Sequence, residues 1–189
     1  AVSKDNTVKS HRDMGLVSEV FDDAKIAELQ GDIGIGHCRY STTGNSEANN
    51  AQPLTMSFVN GTLAIAHNGN LVNAEEIRQR LMEEQGAIFH TTIDSEIFAY
   101  LIAKKESETH LLEAAIRKAT DLVAGSYALL VMSPSKLVGI RDPLGIKPLC
   151  IGIKDNSYIL ASETCAIESI GGKILRDVEP GETSYRRLP

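Results

Sequence analysis

Arg39, the pair Asn68-Gly69, and Asp94 are the residues of this chain whose types and spacing could do chemistry. Arginine presents a planar fork that matches a carboxylate. An asparagine followed by glycine can offer a side-chain amide and a backbone N–H to an oxygen on which negative charge develops. Aspartate can hold an ammonium group. The three blocks are Gly36-His37-Cys38-Arg39-Tyr40-Ser41-Thr42-Thr43-Gly44, His67-Asn68-Gly69-Asn70 and Thr92-Ile93-Asp94-Ser95-Glu96. Together they describe a site for a zwitterionic amino acid whose side-chain carbonyl is attacked. Position 1 is alanine, and no obvious nucleophile accompanies the blocks.

Each residue also has a plainer role open to it. Arg39 could order a loop through a half-buried ion pair. Asp94 could be a helix N-cap, because an apolar helical pattern follows it. Asn68-Gly69 is a common turn pair. The Thr42 hydroxyl could bond a substrate carboxylate beside Arg39 or the local backbone. Cys38 adjoins His37, and a Cys with a His can be a nucleophile pair. Alternation along a strand would point the two side chains to opposite faces, so Cys38 is expected to be a buried structural thiol. Cys150 and Cys165 have apolar neighbours in sequence and are also expected in the core. His37 and His67 lack a third ligand at metal-binding spacing.

The elements that must position these residues follow from pattern. Residues 1–9 read as a strand, an Asp5-Asn6 turn and a second strand. Residues 15–30 carry a helical pattern, and 32–39 alternate like a buried strand. Residues 56–66 form a hairpin signal around Asn60-Gly61, which suits a type I′ turn. Asn73 with Glu76 marks a helix start. Asp94 or Thr92 opens a second helix with Ile97, Phe98, Leu101 and Ile102 inward. A third covers about 109–123, with Leu112, Ala115, Ile116, Ala119 and Val123 inward. Residues 126–132, 136–141, 149–153 and 157–161 read as an antiparallel meander. Strands on both sides of a helical middle imply an α+β arrangement of stacked sheets covered by helices.

The bulk properties narrow the function. A chain of 189 residues is long enough for one domain with a real core. Hydrophobic content of 42% and charged content of 23% are ordinary for a globular protein. A formal charge of -6 with scattered Lys and Arg argues against a nucleic-acid binder. No apolar run has the length of a membrane span, and the polar start has no signal-peptide core. Three widely spaced cysteines make neither a disulfide framework nor a zinc site, which fits a cytoplasmic setting.

Taken in order, the motifs resemble the glutaminase domain of the class II glutamine amidotransferases, within the N-terminal-nucleophile hydrolases. The segments from Gly36 to Thr42, from His67 to Leu71, from Asp94 to Glu96 and from Arg141 to Leu149 carry the resemblance. Ala161-Ser162-Glu163-Thr164-Cys165-Ala166 and Asp177-Val178-Glu179-Pro180-Gly181-Glu182 bring it closest to the amidophosphoribosyltransferases. Hexosamine-forming and asparagine-forming relatives, or a glutamine-binding module without chemistry, are the alternatives.

The resemblance implies an αββα sandwich, truncated at its N-terminus, with glutamine as substrate. It implies Arg39, Thr42 and Asp94 on the substrate, and Asn68 and Gly69 as oxyanion donors. It further implies a nucleophilic cysteine at the mature N-terminus, absent here, so this chain alone is expected to be inactive. Residues 1–182 would be the glutaminase domain, and 183–189 an exit toward an absent phosphoribosyltransferase domain. That domain would bind phosphoribosyl pyrophosphate and magnesium, and some members carry an iron–sulfur cluster there. No cofactor is expected in the present segment, and the intact parent is expected to be a homo-oligomer.

Overall fold

The computed structural model describes residues 1–38 and 48–187. The chain opens with β1 (Val2–Lys4) and β2 (Thr7–Lys9), joined by Asp5 and Asn6 at φ 48° and 60°. Short helices α1 (Val17–Val20) and α2 (Asp23–Glu28) follow, so the expected helical stretch is broken in two. Next come β3 (Ile33–Gly34), a single 3-10 turn at Ala48–Asn50, β4 (Leu54–Phe58) and β5 (Gly61–Leu71). The helical middle is α3 (Ala74–Gln85), α4 (Ser95–Thr109) and α5 (Leu112–Thr120). The last third holds β6 (Gly125–Met132), β7 (Lys136–Arg141), β8 (Cys150–Lys154), β9 (Ser157–Ala161), α6 (Thr164–Ser169), β10 (Lys173–Asp177) and β11 (Thr183–Arg187).

Among the described residues the strands form three antiparallel sheets, ordered β11-β7-β6-β5-β4, β10-β8-β9 and β2-β1-β3. The expected meander is therefore divided: β6 and β7 lie in the five-stranded sheet, and β8 and β9 in another. Side-chain alternation gives the five-stranded sheet two apolar faces. Leu63, Ile65, Tyr127, Leu129, Val131, Val138 and Ile140 face one core cluster with Ile97, Phe98, Ile102 and Ile116 of the helices. Ala64, Ala66 and Met132 face the other way, against Ile35 with Ala1, Val8 and Ile33. Ala128 meets Leu149 and Val178, with Ile151 and Leu160 beside them. The helix α6 closes the far side, where a Cβ on Gly152 would lie 2.6 Å from Ile167 Cγ2. The layers run helix, sheet, sheet, helix.

Local chemistry explains the element ends. The inward residues of α5, at 112, 115, 116 and 119, recur at helical spacing and are all buried. The helix α3 stops at Gly86, φ 65°, whose N–H bonds Met82 O while Ala87 N–H returns to Leu81 O. Asn73 makes no cap bond; its side chain reaches across to Leu122 O and the Ala124 N–H.

Three expectations need correction. In the hairpin, Phe58 pairs with Gly61, so Val59 and Asn60 are the loop residues and Gly61 opens the returning strand. The strand expected over 32–39 has ladder pairing only at Ile33 and Gly34, so alternation does not govern Cys38, which is exposed. Cys165 is exposed too, while Cys150 is buried as expected. Thr183–Arg187 pairs with β7 as the edge strand β11.

Candidate active site

The site is built where β5 outruns its neighbour. Pairing of β4 with β5 ends at Leu54↔Ile65, next to Pro53, which has no N–H to offer. The side chain of Gln52 then takes over the role of a strand. Its Oε1 accepts the His67 N–H at 2.7 Å and its Nε2 donates to His67 O at 3.3 Å. Backbone groups of successive residues on an antiparallel strand point to alternate edges. The N–H groups of His67, Gly69 and Leu71 thus share the edge that β4 has left. Asp94 takes the last of them, its Oδ2 accepting from Leu71 at 2.9 Å. The Gly69 N–H lies between these two clamps.

Gly69 is required by its own backbone. At φ +151° a side chain is strained, and a Cβ would come within 2.0 Å of Ser126 O on β6. The neighbouring strand, rather than the substrate side, excludes it.

Asp94 stands at the N-cap position of α4, yet its side chain makes no capping bond. Its Oδ1 lies 3.2 Å from His67 Nδ1, and Ser95 Oγ is 3.2 Å from the same nitrogen. A carboxylate only accepts, so Nδ1 carries the proton of this contact. Burial pushes the Asp94 carboxyl up, but hydrogen bonding and attraction from His67, with the Leu71 N–H, outweigh it. The net direction is down, which keeps Asp94 an anion at neutral pH. His67 is buried, stacks edge-on against Phe98 at 5.3 Å, and its Nε2 has no partner among the described residues.

The segment leading into Asp94 is held from three sides. Arg78 of α3 donates to Thr91 O at 3.1 Å and Ile93 O at 2.9 Å while lying 4.1 Å over the Phe89 ring. The buried Glu96 accepts the N–H groups of His90 and Thr91 at 2.9 and 2.8 Å. Asn50 donates to Thr92 Oγ1 at 2.9 Å and accepts the Thr92 N–H at 3.1 Å.

A cleft of about 550 Å³ opens over this edge, a size suited to a small molecule. Asn68, Gly69 and Asp94 line it together. Gly36, His37 and Cys38 form part of one wall, and Lys147, Glu163 and Cys165 part of another. Lys147 arrives there on a turn knotted by its own ion-like contacts. Arg141 donates to Lys147 O, Val178 O and Gly145 O at 2.8, 2.7 and 2.9 Å. Asp142 accepts the N–H groups of Leu144, Ile146 and Lys147 at 3.1, 3.1 and 3.0 Å. The segment from Arg141 to Leu149 is thus structural.

Of the five residues expected at the site, the fold brings Asn68, Gly69 and Asp94 to one cleft. Arg39 and Thr42 lie outside the described residues. Gln52 was missed by pattern, because it belongs to no motif with chemistry of its own; His67, Lys147 and Glu163 stand in the quoted motifs but were given no role in the site. Among the described residues, no group of three or more His, Cys, Asp or Glu side chains could hold a metal ion, and no helix is long and apolar enough to cross a membrane.

A family model described as a glutamine amidotransferase domain matches residues 37–169. The amidophosphoribosyltransferase of Methanothermobacter thermautotrophicus is 45% identical over 94% of this chain and 37% of its own length. That of Bacillus subtilis is 44% identical over 92% of this chain and 36% of its own. The solved B. subtilis glutamine phosphoribosylpyrophosphate amidotransferase, complexed with ADP and GMP, superimposes with a TM-score of 0.88 at 38% identity. It covers 98% of this chain, which covers 41% of it. The present chain therefore spans somewhat over a third of the length of these relatives.

Proposed function

The chain belongs to the glutamine amidotransferase family and has its N-terminal-nucleophile hydrolase fold, and from that premise we propose that it is the glutamine-hydrolysing part of an amidophosphoribosyltransferase. The observation that carries this reading is that Asp94, bonded to the Leu71 N–H of β5, and Gly69, two residues back on the same strand, line one cleft.

In the proposed reaction, Asp94 holds the α-ammonium of glutamine. The Arg39 fork, with Thr42 beside it, takes the α-carboxylate. A cysteine thiolate at the N-terminus of the mature domain adds to the side-chain carbonyl carbon. The carbonyl oxygen becomes an oxyanion, received by the Gly69 N–H and the Asn68 amide. Collapse expels the nitrogen, protonated on leaving, as ammonia and leaves a thioester. Water then adds, and glutamate departs as the thiolate re-forms. Ammonia replaces the pyrophosphate of phosphoribosyl pyrophosphate in the part of the relatives that this chain does not span. That part would also hold magnesium and, where present, the iron–sulfur cluster. No step described here passes through either.

The test is glutamate release from the full-length protein. Activity is expected to survive Cys38→Ser and Cys165→Ser, since these two thiols line the cleft without serving as nucleophile. The chain of 189 residues alone is expected to release none. Loss of activity in either serine variant, with the fold intact, would move the nucleophile into this segment.

A further inference from the structure

We propose that Gln52 is a positioning residue for glutamine hydrolysis: by clamping the backbone of His67, its side chain sets the direction of the Gly69 N–H. The inference rests on the glutaminase reading above. Strand β5 needs support on both edges up to the point where it presents its donor. On one edge β6 pairs with it through Leu71↔Gly125. On the other, β4 stops at Leu54, opposite Ile65. Continuing that register by two residues places position 52 opposite His67, and the Gln52 amide occupies that place with one donor and one acceptor. Both functions of the amide are matched to the two backbone groups that a strand would have offered, at 2.7 and 3.3 Å.

Four residues beyond His67, Asp94 binds the next N–H of the same edge but one, that of Leu71. The peptide between the two clamps is the one that carries the Gly69 N–H. Its position is fixed from both ends, while the space before it stays open to the cleft that Gln52 also lines. A strand partner at this place would have covered the donor. A side chain supports the strand and leaves the donor free to meet substrate.

The test uses the full-length protein. Gln52→Met keeps the length of the side chain and removes both bonds. Its kcat for glutamate release is expected to fall about 10- to 100-fold with KM within about 3-fold of wild type, because a donor of the transition state is misdirected while ground-state binding persists. Gln52→Glu keeps the acceptor for the His67 N–H, loses the donor, and is expected to show a smaller fall of the same kind. Synthesis supplied with free ammonia bypasses hydrolysis and is expected to be unchanged in both variants. Wild-type kcat in Gln52→Met, or a change confined to KM, would overturn the proposal. If Gln52→Met also loses ammonia-dependent synthesis, Gln52→Glu decides, and an unchanged kcat there overturns it. A wild-type protein that releases no glutamate would instead overturn the glutaminase reading.

Discussion

Asp94 Oδ2 accepts the backbone N–H of Leu71 at 2.9 Å, so the residue at the head of α4 is tied to the strand that carries Asn68 and Gly69. The same carboxylate meets His67 Nδ1 through its other oxygen. Each oxygen keeps a second lone pair. Asp94 can therefore join helix to sheet and still face a cation in the cleft.

Asp94→Asn keeps an oxygen for the Leu71 N–H and removes the charge. A hydrogen bond between charged groups is worth about 1.5–3 kcal/mol, so glutamine affinity is expected to drop about 10- to 150-fold. Steady-state glutamate release in the full-length protein checks this through KM. An unchanged KM would remove Asp94 from the substrate.

Gly69→Ala places a Cβ where Ser126 O stands, 2.0 Å away. The backbone strain alone costs about 1–3 kcal/mol, and relief requires β5 and β6 to part. A lower melting temperature and loss of glutamate release are both expected. A variant that melts like wild type would show that this backbone is not held as described.

Acid is expected to destabilise the fold from below pH 4. Burial raises the Asp142 carboxyl, but the N–H groups of Lys147, Ile146 and Leu144 outweigh this and hold it below its ordinary value of 3.8. The unfolded chain then takes up the proton first as pH falls. The stabilisation is complete above about pH 4 and is lost as pH drops through the lower folded value. Asp94 shifts in the same direction and adds the same sign. Melting temperature against pH checks this. Asp142→Asn should start lower and fall less steeply in acid, and an equally steep fall would assign the acid sensitivity elsewhere.

Phe98 is fully buried and meets both His67 and Tyr127 edge-on at 5.3 Å. Phe98→Ala is expected to cost about 3–5 kcal/mol of stability. Urea unfolding measures it. A loss under 1 kcal/mol would mean that the helix layer is not packed on the sheet through this ring.

The helices were legible because Leu112, Ala115, Ile116 and Ala119 repeat at helical spacing, a local signal. Asn68, Gly69 and Asp94 were legible because their chemistry stands in short motifs. Gln52 was not, since its role depends on the register of β4 against β5 and on where that pairing stops. The Leu71–Asp94 bond was hidden for a similar reason: it joins residues 23 apart, and an aspartate ahead of a helix looks like a cap. Cys38 was misjudged by extending alternation past Gly34, where strand pairing has already ended. Cys165 shows that apolar neighbours in sequence do not bury a side chain on a short covering helix.

The most direct test is an amide correlation NMR titration of this chain with L-glutamine. Shifts at the Gly69 and Leu71 amides, the Asn68 side-chain amide and the Asp94 amide, saturating together, are expected. A dispersed spectrum in which these signals stay still at high glutamine would contradict a glutamine site on this edge of β5.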